Sequence, residues 1–71
     1  MNTKTNTNTI KFLRESLGLT QHELSKELNI PQPTICGYEN GNARPSIKRC
    51  SDIIKFAGSN GLQVTLEQLL F

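Results

Sequence analysis

Gln32, Pro33, Cys36 and Gly37 would share one face of the stretch QPTICGYEN if that stretch is helical, and the face carries no charge. The chemistry open to it is recognition. A carboxamide holds a donor and an acceptor side by side, the pattern that pairs with N6 and N7 of adenine in the major groove, and slim neighbours let a base edge approach. The surrounding text PQPTICGYENG, residues 31 to 41, has two prolines, two glycines and a β-branched pair, with no alanine, leucine or lysine. Gly37 within a helix costs about 1 kcal/mol relative to alanine, so its presence predicts close approach by something. Two readings stay open on these residues alone: a helix that meets base edges, or a weak helix held from behind by Ile35 and Tyr38.

Other chemistries are poorly supplied. The chain has one histidine, His22, and two cysteines, Cys36 and Cys50, fourteen positions apart. Without a C-x-x-C or a His cluster a four-ligand zinc set cannot be assembled. Reduced thiols are the expectation, with one disulfide as the alternative. There is no nucleophile–base pair, carboxylate pair or metal set, so an enzyme is not expected and no cofactor is implied. His22 reads as a solvated helix residue.

The net charge of +2 is too mild to identify a nucleic-acid binder by itself. Arg44, Lys48, Arg49 and Lys55 face only Asp52 between positions 44 and 55, which fits a solvated face. Lys48 and Arg49 would lie in the first turn of a helix, against its dipole; an external anion or chance placement explains that equally well. The 71 residues fit one domain burying only about 60% of its unfolded surface. No segment approaches the about twenty apolar residues of a membrane span and the start is not a signal peptide, so a cytoplasmic location is expected.

These side chains must be positioned by helices. Residues 1–9, an Asn/Thr run, read as a disordered N-terminal arm, and residues 10–71 as the folded domain. Ile10, Leu13 and Leu17 mark an amphipathic first helix that Gly18 ends. Thr20 and Glu23 form a capping box ahead of Leu24 and Leu28. Asn29 tolerates a left-handed reversal, Ile30 turns inward, and Pro31 opens the third helix, in which Ile35 and Tyr38 face the core until Asn40-Gly41 closes it. Pro45-Ser46 opens a fourth helix with an apolar stripe of Ile47, Cys50, Ile53, Ile54 and Ala57. GSNG at 58–61 reads as a loop. Thr65 and Gln68 repeat the capping box before Leu66, Leu69 and Leu70, in a last helix ending at Phe71. The result is all-α and compact, with five helices. The short link around Asn29 forces the second and third helices to cross, as a helix-turn-helix.

The segment LTQHELSKELNIPQPTICGYENGNARPS closely resembles the helix-turn-helix of the Cro and phage-repressor (XRE) family. The likeness runs over residues 10–57 and resumes at 64–70. It is carried by T-Q-x-E-L at 20–24, I-x-x-x-E-N-G at 35–41 and Pro45-Ser46. It implies a lambda-repressor-like DNA-binding domain whose third helix lies in the major groove, with dimers reading two half-sites about one turn apart. By the same resemblance Gln32 reads a base edge, with Pro33, Cys36 and Gly37 in neighbouring groove-facing places. Gln21 grips a phosphate and braces Gln32. Thr20, Thr34, Asn40 and Arg44 match phosphate-contacting positions, which orient without reading sequence. Arg14 and Glu39 match a structural ion pair. The sequence departs from the family at Pro33, where a base-bonding residue is common, at Ser25, usually alanine, and at SNGLQ, which lengthens the link before a helix where such proteins often dimerise.

The leading expectation is therefore a sequence-specific regulator, a Cro-like repressor binding a double-stranded DNA operator as a homodimer, with no membrane partner. Within these 71 residues no self-cleaving or ligand-sensing domain accompanies it. The alternative is an antitoxin that regulates its own promoter and binds a toxin protein through the arm and LEQLLF. A controller of a restriction system is a variant of the first, and a protein-interaction module on the same fold is a third class, without salt-dependent DNA affinity.

Overall fold

Five helices in the order α1 (Thr9–Ser16), α2 (Gln21–Leu28), α3 (Gln32–Asn40), α4 (Ile47–Ser59) and α5 (Leu66–Leu70) make up the protein, a computed structural model that describes residues 9–70. No strand occurs among the described residues. Residues 1–8 of the expected arm, and Phe71, lie outside them; Thr9, grouped with the arm above, opens α1 instead.

The helix ends follow from local chemistry. Thr20 and Glu23 answer each other's backbone N–H groups at 3.0 and 2.8 Å, the capping box expected at the start of α2. Thr65 and Gln68 do the same at the start of α5, at 3.2 and 2.9 Å. Ser46 accepts from Arg49 N at 3.2 Å and caps α4. At the other end α1, α2, α3 and α4 are each closed by a left-handed residue: Gly18, Asn29, Gly41 and Gly61. In every case the following N–H reaches back five residues, as in Ile30 N to Ser25 O at 3.0 Å and Asn42 N to Gly37 O at 2.9 Å. Asn29, at φ 57°, is the non-glycine among them, and asparagine bears that conformation better than other side chains. It turns the chain from α2 into α3 within three residues.

One core unites the helices. Leu13 of α1, Leu24 of α2, Ile35 of α3 and Cys50 and Ile53 of α4 are fully buried. Ile30, Tyr38, Val64 and Leu69 close its margins. Ser25, buried on the turn side of α2, donates its hydroxyl to His22 O at 2.7 Å, so a polar residue sits inside without an unmet hydrogen bond.

Two expectations about α4 are corrected. Ile47, placed in the apolar stripe, is 63% exposed. It is the first helical residue and no neighbouring helix covers it, so the inward arc is Cys50, Ile53 and Ala57, flanked by the half-buried Ile54. The loop at 58–61 is shorter than expected, because Gly58 and Ser59 stay helical and the reversal waits for Gly61.

Burial separates two adjacent side chains sharply. Leu13→Ala is expected to cost about 2–5 kcal/mol in urea unfolding. Phe12→Ala, at a side chain 65% exposed, should stay within about 0.5 kcal/mol of wild type. Equal losses at the two positions would contradict this core.

Candidate nucleic-acid interface

The stretch with the poorest helix text, α3, is held by a buried ion pair. Arg14 of α1 donates from Nε to Glu39 Oε2 at 2.8 Å and from Nη2 to Glu39 Oε1 at 3.0 Å, a two-point contact. Its Nη1 donates to Leu19 O at 3.1 Å. Gln21, the first residue of α2, donates from Nε2 to the same Glu39 Oε1 at 3.0 Å. The Glu39 side chain is 4% exposed. Burial pushes its carboxyl up, but hydrogen bonds from Arg14 and Gln21 and the charges of Arg14 and Lys11 outweigh that and hold it below the usual carboxylate range. The hydrogen bond to Glu39 in turn raises the Arg14 guanidinium, against a smaller opposing effect of its own burial. Glu39 is the sole charge on α3, and it is turned inward and neutralised.

The outward face of α3 is left without charge. Gln32 and Pro33 are exposed in the first turn, which Pro31 leads in at φ −55°. Thr34 and Cys36 are half-buried; Asn40 donates from Nδ2 to Cys36 Sγ at 3.3 Å across one turn. Gly37 is half-buried too, and a Cβ built there would lie 3.3 Å from Ala43 Cβ. The close approach that a mid-helix glycine signalled thus comes from within the protein. Ala43 belongs to the segment that follows α3, and no feature of the sequence marked it.

The residues matched to phosphate contacts lie at the start of α2, on α3 and in the segment that follows α3. Thr20 is exposed, with its hydroxyl engaged at the α2 cap. The N-terminus of α2 beside it presents main-chain N–H groups, the partially positive end of the helix. Asn40 is exposed at the end of α3, and Arg44 is exposed with no ion pair among the described residues.

Gln21, matched by resemblance to a phosphate contact that can brace Gln32, has a partner inside the protein. Its Nε2 is committed to Glu39. An ionised carboxylate is a stronger acceptor than a neutral amide, and it accepts only, so the nitrogen of the Gln21 amide must face it. One N–H of that nitrogen remains for an outside acceptor.

Lys48 and Arg49, whose position in the first turn of α4 suggested an external anion, have partners in the protein. Lys48 Nζ lies 3.4 Å from Asp52 Oδ2, one turn on, and Arg49 Nη1 donates to Tyr38 Oη at 3.4 Å. The Lys48 pair is solvent-exposed and contributes little. His22 is exposed. Both thiols are free; Cys50 is buried, which pushes its thiol up. Among the described residues no three His, Cys, Asp or Glu side chains gather as a metal site, and no helix is long and apolar enough to cross a membrane.

Comparison with known proteins agrees with this geometry. A helix-turn-helix family model matches residues 10–69. A protein of Methanocaldococcus jannaschii, named an uncharacterized HTH-type transcriptional regulator, is 39% identical over 51 residues, covering 72% of this chain and 77% of that protein. No solved structure gives a significant match.

The buried pair has a pH signature. Because the folded Glu39 carboxyl lies below its ordinary value of 4.5, its contribution to stability is complete above that value and is lost as pH falls through the folded one. Arg14→Met strands the carboxylate in a site where burial alone would raise it. The substitution should cost about 3 kcal/mol at pH 7, and the deficit should shrink on acidification, first above pH 4.5 as the stranded carboxyl takes up its proton and then below it as the wild-type carboxylate is protonated in its turn. A deficit independent of pH would mean that packing, and not charge, is what Arg14 supplies.

Proposed function

The chain belongs to the helix-turn-helix family of the XRE type, and on that premise we propose that it is a Cro-like repressor that binds a DNA operator as a dimer, with α3 in the major groove. DNA binding and transcription regulation go with the family. The operator, the dimer and the repressor role are our own reading.

One observation carries it: the outer face of α3 is exposed, slim and without charge, while the sole charged side chain of that helix is buried against Arg14. A helix that merely faced water would gain by carrying lysine and glutamate outward. A helix that enters a groove gains by leaving space for base edges and offering an amide, which Gln32 does. Pro33 has no N–H and an apolar ring, so next to Gln32 it suits a thymine methyl. Thr20, the α2 N-terminus with Gln21, Thr34, Asn40 and Arg44 then serve as phosphate contacts that set the register. Cys36, screened in part by Asn40, offers only its sulfur edge. Gly37 has no side chain to read with.

For the dimer, α5 is the suited element by family resemblance. Leu69 is buried in the core, but Leu66 is 41% exposed and available to a second copy.

Gln32→Ala is expected to lose about 1–3 kcal/mol of discrimination at a single base position, read by competition between operator variants. Unchanged preference would remove Gln32 from the readers. Arg44→Ala should weaken binding to every sequence alike and flatten the salt dependence by about one unit; a loss confined to the operator would make Arg44 a reader instead. Leu66→Asp should move a dimer to monomer in sedimentation with the helical content kept, whereas an unaltered profile would place the interface elsewhere.

A further inference from the structure

Three features after α3 converge on one residue. Besides the N–H of the cap residue Gly41, the carbonyl of Gly37 accepts those of Asn42 at 2.9 Å and Ala43 at 3.2 Å. Gly41, at φ 80°, folds the chain back to make this possible. Directly over the missing side chain of Gly37 sits the methyl group of Ala43. The segment 41–43 is thus docked onto α3 by hydrogen bonds to one residue and by contact with the same residue.

What the docking fixes is Arg44. Its preceding neighbour, Ala43, is tied to Gly37, and its following neighbour, Pro45, is buried, with Pro45 O near Cys50 Sγ at 3.8 Å. The backbone on both sides of Arg44 is therefore held while its side chain stays exposed and free of ion pairs among the described residues. The guanidinium is thereby tethered at a set point beside α3, while its side chain keeps the freedom to reach outward.

We propose that Gly37 is a positioning residue, absent a side chain so that the segment carrying Arg44 can dock on α3, and that Ala43, rather than Gly37, occupies this part of the DNA-facing surface. The proposal rests on the DNA-binding reading above and replaces one of its four groove-facing positions. It makes a small residue at position 37 a requirement for phosphate anchoring, with no part in naming a base. A Cβ at 3.3 Å from Ala43 Cβ is too close for ordinary packing, so the neighbour must give by a few tenths of an ångström. The movement is transmitted to the Asn42 and Ala43 N–H groups on Gly37 O and to the adjoining Arg44.

The test compares the full chain with Gly37→Ala, with Ala43→Gly and with both together. Amide hydrogen exchange on the free protein reports the docking, and DNA affinity at several salt concentrations reports the anchoring. Gly37→Ala should speed exchange at Asn42 and Ala43 and flatten the salt slope toward that of Arg44→Ala, by up to about one unit, with the preferred sequence unchanged. Removing the opposing methyl by Ala43→Gly in the Gly37→Ala background should restore both. Unchanged exchange in Gly37→Ala, a failure of the second substitution to rescue, or a changed base preference would each overturn the proposal while leaving the regulator reading intact. A wild-type chain without salt-dependent DNA affinity would overturn the regulator reading and, with it, the anchoring role assigned to Arg44.

Discussion

The arrangement depends on the carboxylate of Glu39. It accepts from Arg14 on α1 and from Gln21 on α2 while belonging to α3. One buried group thus joins the two helices of the helix-turn-helix to each other and to α1. Helix propensity would not hold α3 in place, because Pro33 and Gly37 lie within it. Ile35 and Tyr38 anchor one side in the core, which sets the rotation about the helix axis only coarsely, because apolar contact is non-directional. The two-point geometry with Arg14 narrows it. The energetic return of such a pair is offset by desolvation, and its service is to select one geometry over its neighbours.

Fixing the rotation of α3 decides what it shows outward. With Glu39 inside, the exposed remainder is Gln32, Pro33 and the edges of Cys36 and Asn40. Gly37 then receives the folded-back segment and brings Arg44 alongside. The weak helical text is therefore explained position by position. Glutamine and proline at the start face outward, isoleucine and tyrosine face inward, and glycine receives the protein's own backbone. Stability for this segment is drawn from the partners around it, chiefly α2 and α1.

Much of this was legible where chemistry is local. Thr20 with Glu23, Thr65 with Gln68, and the reversal at Asn29 are fixed by residues within a few positions of one another, and each is found as expected. The all-helical fold followed from apolar spacing. The Arg14–Glu39 contact was legible only through the family resemblance, since 25 residues separate its partners. Where reading failed, the deciding neighbour was distant or the covering element absent. Gln21 was matched to a phosphate contact, and nothing near it in the text marks the carboxylate eighteen positions on, in the next helix, to which its amide donates. Gly37 correctly signalled close approach, but nothing in the text says that Ala43 is what approaches. Ile47 fits the spacing of the α4 stripe and is nonetheless exposed, because periodicity names a face without saying where the covering helix ends.

The central claim is that the charge-free outer face of α3 has nucleobases as its working neighbours. Selection of bound sites from random double-stranded DNA, run at two salt concentrations, tests it most directly. The expected outcome is one enriched sequence arranged as two inverted half-sites with centres about one helical turn apart, recovered more weakly at the higher salt. Recovery of no common sequence, or retention indifferent to salt, would contradict it and leave α3 as an inward-packed helix whose outer surface meets only water.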